Sequence, residues 1–195
     1  MKLPVCIFDL ESEMLCNICQ ERLDRKEISS FDIEFSKWLL NRVKEYPSID
    51  DLDLRRAIQT SGRLILIVKK KNAQIITSLE PLVAEMKESF GEVMVFEQPI
   101  KLRKIVQTLI EPFIEVGVNS LYLPDGSRES IVMLRDEDRN KITYSKEDLK
   151  EIVSAVIGES VMFQYQDDRV EKLEETPKDE FDERMEEFSS RRGRL

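Results

Sequence analysis

The sequence predicts an α+β protein: a cysteine-bearing N-terminal segment, then two small modules, each a three-stranded sheet covered by helices. Two observations predict it. The order helix, strand, strand, short helix, helix, strand runs twice along the chain. Both runs also close on similar tracts, Phe90-Gly91-Glu92-Val93-Met94-Val95-Phe96 and Ile157-Gly158-Glu159-Ser160-Val161-Met162-Phe163. The offset between them is 67 residues, and an internal duplication is the simplest account.

Taken in order, residues 1–28 read as an irregular start that carries all three cysteines. Ser30 can cap a helix to about Tyr46, with Phe31, Phe35, Trp38, Leu39 and Val43 on one face and Pro47 as the stop. Leu52–Thr60 and Arg63–Lys70 read as strands around a Ser61-Gly62 turn, the second apolar enough to be central. A short helical piece at Ala73–Ile76 precedes a helix over about Leu79–Phe90, where Pro81 sits harmlessly in the first turn. Gly91 ends that helix, Val93–Glu97 is a strand, and Pro99 closes the first module.

The second module opens with a helix over Lys101–Ile110, its Leu102, Ile105, Val106 and Leu109 on one face. Phe113–Leu123 and Ser130–Arg135 are strands around Pro124-Asp125-Gly126. Ser145 and Asp148 form a capping-box variant for a helix over Lys146–Ile157 that buries Leu149, Ile152, Val153 and Val156. Gly158 stops it and Val161–Tyr165 is the last strand. The boundaries expected are therefore 1–28, 29–98, 99–166 and a charged tail at 167–195.

The chain has 195 residues, net charge −9 and no histidine. Without histidine the commonest general base and every Ser-His or Cys-His pair are missing, so the chain reads as non-enzymatic, with no small-molecule substrate implied. No apolar run approaches the roughly 18 residues of a membrane span, and the start lacks a signal-peptide core, so a cytoplasmic protein is expected. The acidic balance argues against coating nucleic acid non-specifically. It is uneven, however: residues 167–187 hold eleven Asp/Glu against four Lys/Arg. That segment reads as a disordered tail, although Phe181, Met185 and Phe188 fall at helical spacing. The body keeps two basic clusters, Lys69, Lys70 and Lys71, and Lys101, Arg103 and Lys104.

The element order resembles the prokaryotic (type II) KH domain, and two abutting copies resemble the tandem KH pair of the NusA family. The match is best over Arg63–Phe96. The cysteine-bearing start with Glu27-Ile28-Ser29, and the tract Asn119-Ser120-Leu121-Tyr122-Leu123-Pro124-Asp125-Gly126-Ser127, look like archaeal KH proteins of the NusA-like elongation-factor family. The resemblance covers about residues 1–165. It implies RNA as a ligand, and RNA polymerase or the ribosome as the setting.

KH domains hold single strands through a Gly-x-x-Gly loop between two helices, where the backbone approaches four nucleotides. Here that position falls on Thr77-Ser78-Leu79-Glu80, which has no glycine and a carboxylate where phosphate would sit. The second copy falls on Thr143-Tyr144-Ser145-Lys146, again without glycine, although Lys146 suits a phosphate. Two readings stand. RNA crosses the basic clusters instead, or the modules are a protein–protein adaptor that has left nucleic acid behind.

Cys16-Asn17-Ile18-Cys19 is a C-x-x-C, and Cys6 to Asp9 has the same spacing with an aspartate in the second place. The family resemblance implies two C-x-x-C pairs and a four-cysteine zinc site, so Cys6, Asp9, Cys16 and Cys19 are its expected ligands here. Carboxylates do ligate zinc. The alternative is that zinc is lost and the cysteines are ordinary thiols. A Cys16–Cys19 disulfide does not suit a reducing cytoplasm.

Overall fold

The computed structural model describes residues 1–124 and 126–167. Asp125, at the tip of the second hairpin, and all but the first residue of the acidic tail lie outside the described residues. Among those described, no helix is long and apolar enough to cross a membrane.

The N-terminal segment is not irregular. It forms two short helices, α1 (Ile7–Ser12) and α2 (Asn17–Asp24), on a small core of Val5, Leu10, Cys19 and Ile28. Helices of six and eight residues carry too little apolar periodicity to be read from sequence, and are held here by packing. Next comes α3 (Ser30–Leu40), whose cap is Ser29, one residue earlier than expected, in a reciprocal box with Asp32. This helix stops at Leu40, short of Tyr46, because the Arg42 side chain takes the Trp38 carbonyl at 3.2 Å while the Arg42 amide turns to Leu39.

The first sheet holds β1 (Leu54–Thr60), β2 (Arg63–Val68) and β3 (Glu92–Glu97) in that spatial order. Its first pair is antiparallel and its second parallel. Helices α4 (Ala73–Thr77) and α5 (Glu80–Phe90) make the crossover between β2 and β3. The second sheet repeats this topology with β4 (Gly117–Tyr122), β5 (Arg128–Leu134) and β6 (Ser160–Tyr165), preceded by α6 (Leu102–Ile110) and crossed over by α7 (Lys146–Ile157). A 3₁₀ turn at Asp136–Asp138 stands where the first module has α4.

Further expectations change. Strand β4 is shorter than Phe113–Leu123, because the residues after Pro112 turn away from the ladder before pairing with Met133 begins. The repeat offset is 67 through the helix ends but 68 within the strands, since Gly158-Glu159 occupies two positions where the first module has Gly91 alone. That slip buries Val161 and Phe163 in a core at the positions where Val93 and Val95 pack, partly buried, against theirs.

The first sheet is covered on both faces, not one. Leu64, Leu66 and Val68 pack beneath α3, α4 and α5. The opposite face, with Ile65, Ile67 and Phe96, joins a single core with α6, α7 and the second sheet. Helix α7 touches β6 on one side and β1 and β2 on the other, so it lies between the sheets. Burying each side chain of this size stabilises by about 1.5–3 kcal/mol. The modules are therefore joined by apolar burial, which exceeds the ~1 kcal/mol or less of an exposed ion pair.

A candidate metal centre and a basic cleft

Both chelating pairs are built the same way. Cys6 is the extended residue before α1 and Asp9 is the third residue of that helix; Cys16 and Cys19 stand in the same relation to α2. Side chains at those two positions converge over the first helical turn, which is why a two-residue spacing chelates. One ligand atom from each of Cys6, Asp9, Cys16 and Cys19 lies within 4.8 Å of all the others. The Cys6 and Cys19 sulfurs are 3.7 Å apart. A tetrahedral zinc with Zn–S near 2.3 Å separates its sulfurs by about 3.8 Å, so the donor set fits such an ion. These four residues are close enough to bind a metal.

Asp9 and Cys19 are buried, at 3% and 1% exposure. Asp9 accepts the Cys16 amide at 3.1 Å. Hydrogen bonds from the Cys19 and Cys16 side chains and from that amide hold its carboxyl below the ordinary range, against the opposing effect of burial. The Cys19 thiol is pushed up to about 12, first by burial and then by the Asp9 carboxylate. A divalent cation reverses this balance, because a coordinating thiol gives up its proton. Four protein donors leave no open position, which is the pattern of a structural site and not a catalytic one.

The basic clusters lie on a different part of the molecule. Lys69, Lys70 and Lys71 follow β2, with Lys71 at φ 68°, and all three are exposed. Lys101, Arg103 and Lys104 are exposed at the start of α6. The two clusters meet at Glu97, the last residue of β3. Its carboxyl is held low by the amides of Ala73 and Lys71, and then by the charges of Lys104 and Lys70. Lys69 is drawn aside, its ammonium 4.0 Å from the buried Asp53. Lys146 is distant in kind: half-buried, it sits over the Tyr165 ring at 5.4 Å to the centroid.

Thr77, Ser78, Leu79 and Glu80 form the turn from α4 into α5. Leu79 turns inward onto the first core, leaving Thr77, Ser78 and Glu80 exposed. Thr77 and Glu80 rim a cleft of about 310 Å³ whose floor is Ile76, Val83, Ala84, Val93 and Val95, with Lys87 at the far lip. A second cleft of about 160 Å³ shares Val95 with it but opens on the other side of β3, toward α6, and is lined by Phe96, Ile100, Lys101 and Lys104 among others, so the two make a trough bent around the edge of the strand. Sequence reasoning missed this trough and Lys87. Its only sequence signal is that Val93 and Val95 share one face of an edge strand. In the second module the corresponding turn is already occupied: Ser145 caps α7 and the Tyr144 hydroxyl donates to Glu92 at 3.1 Å.

No protein-family model matches the chain, and no curated protein matches it. Among solved structures, one described as the crystal structure of APE1850 is similar, with a TM-score of 0.47 and 21% identity. That likeness covers 64% of this chain and 96% of the other.

Proposed function

We propose that the chain is a non-enzymatic RNA-associated factor of two tandem type II KH-like modules, related to the archaeal NusA-like elongation factors. It holds single-stranded RNA along β3 while docked on a larger cytoplasmic machine, RNA polymerase or the ribosome. The observation that carries this reading is the trough along β3: an apolar floor that bases can lie on, with Lys87, Lys101, Lys104 and Lys70 near its rim. A basic groove that tracks the backbone holds single strands without a sequence code, and here the bases would lie on aliphatic side chains where such sites ordinarily use aromatic ones. The turn at Ser78-Leu79 has no glycine to bring backbone against phosphate, so the lysines carry the affinity. The metal centre, in this reading, binds zinc and fixes the N-terminal segment, which is too small for a sizeable core of its own.

A second reading, a protein–protein adaptor, is favoured by Glu80, an exposed carboxylate at the mouth of the trough. Binding of a labelled single-stranded RNA across a salt series separates the two. A single strand gives a slope of about −0.7 in log K against log salt per phosphate neutralised, so three or four contacts give about −2 to −3. Replacing Lys70, Lys101 and Lys104 with glutamine should flatten that slope by about 2 units and weaken all sequences alike. No salt-dependent binding tighter than tens of micromolar, roughly, would leave the adaptor reading standing.

A further inference from the structure

We infer that the outer face of the second sheet is a seat for an amphipathic helix, and that the chain's own segment around Phe181, Met185 and Phe188 fills it. The two ladders define that face. Asn119 pairs with Ile131 and Ile131 with Met162, while Leu121 pairs with Glu129 and Met133 with Gln164. Paired residues share a face. It is opposite to the one that sends Val132, Leu134, Val161 and Phe163 into the core. Leu121 is 47% exposed on it. Ile131, Met133 and Met162 are partly exposed, and they belong to none of the three apolar cores among the described residues.

The repeat shows what closes such a face. In the first sheet Ile65 pairs with Met94 and Ile67 with Phe96, the places taken in the second by Ile131 with Met162 and Met133 with Gln164. There Ile65 and Ile67 are only 0% and 4% exposed, because α7 lies against β1 and β2. The same topology therefore has this face under a helix in one module and open in the other, with an isoleucine–methionine pair at its centre both times.

The chain carries a segment of matching chemistry in the right place. It leaves the second sheet at the end of β6, an edge strand of this same face, and residues 168–195 follow. In that stretch Thr176-Pro177-Lys178-Asp179 has the three marks of a helix start: a hydroxyl cap, proline at the first helical position and an acid three residues after the cap. Phe181, Met185 and Phe188 then recur at i, i+4 and i+7, on one face of a helix, with charged residues between them. So short a helix is marginal in water and needs an apolar seat to hold it. The reach is sufficient. Asp167 to Thr176 spans up to about 30 Å of extended chain, against about 20 Å for the six residues of β6, so the segment can turn back over the sheet. Arg135, extended and exposed, continues the outer row past Met133 and offers a cation to the carboxylates of the helix. A tether of this length holds the segment at about millimolar effective concentration, which favours it over a separate partner.

The test is amide hydrogen exchange of the full chain, freed of nucleic acid and read by mass spectrometry across a concentration series. The amides of 181–188 should exchange at least about tenfold more slowly than those of an unstructured chain, and equally so at every concentration. Met162→Glu, on the seat, should remove that protection, and so should Phe188→Asp, which changes a residue outside both repeats. Unprotected amides in the unsubstituted chain overturn the inference. Protection that survives Met162→Glu also overturns it, because the segment must then dock elsewhere. Protection that grows with concentration gives the seat to a second copy and refutes the intramolecular assignment. Should Met162→Glu fold poorly, nuclear Overhauser contacts in the unsubstituted chain decide the matter. Contacts from the Met133 and Met162 methyl groups to the Phe181 or Phe188 ring are expected, and their absence sinks the proposal.

Discussion

Gly91 and Gly158 look interchangeable in the sequence, each closing a helix ahead of a glutamate, yet they do different work. Both have positive φ, at 92° and 80°. A Cβ on Gly158 meets nothing within 4 Å, so alanine there pays only the left-handed conformation, about 1 kcal/mol. A Cβ on Gly91 would lie 2.0 Å from the backbone oxygen of Gly62, the acceptor for the Glu92 amide that starts the parallel ladder. Gly91→Ala should therefore destabilise by several times as much as Gly158→Ala in urea unfolding, about 3 kcal/mol or more. Similar losses from the two variants would show that the close approach at Gly62 relaxes at little cost.

The four candidate metal ligands make a second prediction at this scale. Protein purified without chelator should hold close to one zinc per chain by elemental analysis, and Cys19→Ser should hold far less. Asp9→Cys should retain the ion, because it exchanges one donor for another at the same helix position. Chelation should lower the unfolding temperature, by the equivalent of about 3 kcal/mol where free zinc had stood at a hundred times its dissociation constant. Metal content well below one per chain in the unsubstituted protein would favour the plain-thiol alternative.

At the scale of elements, the contact between the β1–β2 hairpin and α7 sets how the modules sit. Arg63 reaches Asp148 at 2.8 Å and Glu92 at 3.0 Å, and its guanidinium faces the Tyr144 ring. Ser61 donates from amide and hydroxyl to Glu151 at 3.0 and 2.9 Å. Apolar burial supplies most of the energy, so the polar set fixes orientation. A double-mutant cycle on Arg63 and Asp148 should return a coupling of about 1 kcal/mol, and zero coupling would assign the orientation to packing alone. The pH dependence has a definite sign. The Asp148 carboxyl is held low by the Ser145 hydroxyl and then by Arg63, and that of Glu151 by the Ser61 amide and hydroxyl. A depressed carboxyl contributes stability that is present above its unfolded value, near 4, and is lost as pH falls through the folded value. Acid should therefore loosen the joint, and carboxyl NMR midpoints for both groups should lie below the ordinary range.

At the scale of the whole molecule the surface divides by charge. The lysines that meet at Glu97 edge the trough along β3. The N-terminal segment bears the exposed side chains of Phe8, Met14 and Ile18 among Glu11, Glu13 and Glu21. On the proposed reading an RNA strand would be drawn to the first surface and repelled by the second, so association with RNA should fall steeply with salt even though the chain is acidic overall. A salt-independent association would show that apolar contact, and not the lysine rim, governs it.

Much of this was legible in the sequence because it is local. Apolar spacing marked α3, α5, α6 and α7, a glycine or proline marked the ends of the last three, and two-residue spacings marked both pairs of candidate metal ligands. The helices α1 and α2 were not legible, because so few residues show no period and their stability comes from Cys19, Leu10 and Ile28 meeting in a core. The trough, the meeting of Lys70 with Lys104 and the sharing of α7 between two sheets were decided by tertiary structure alone. Each depends on parallel pairing of β2 with β3 and of β5 with β6, contacts between residues about thirty apart in the chain whose geometry no local pattern encodes. The sequence by itself determined the helices and strands of the two repeats and which donors a metal would find; only the packed molecule decided that the N-terminal segment is helical and which faces stayed open.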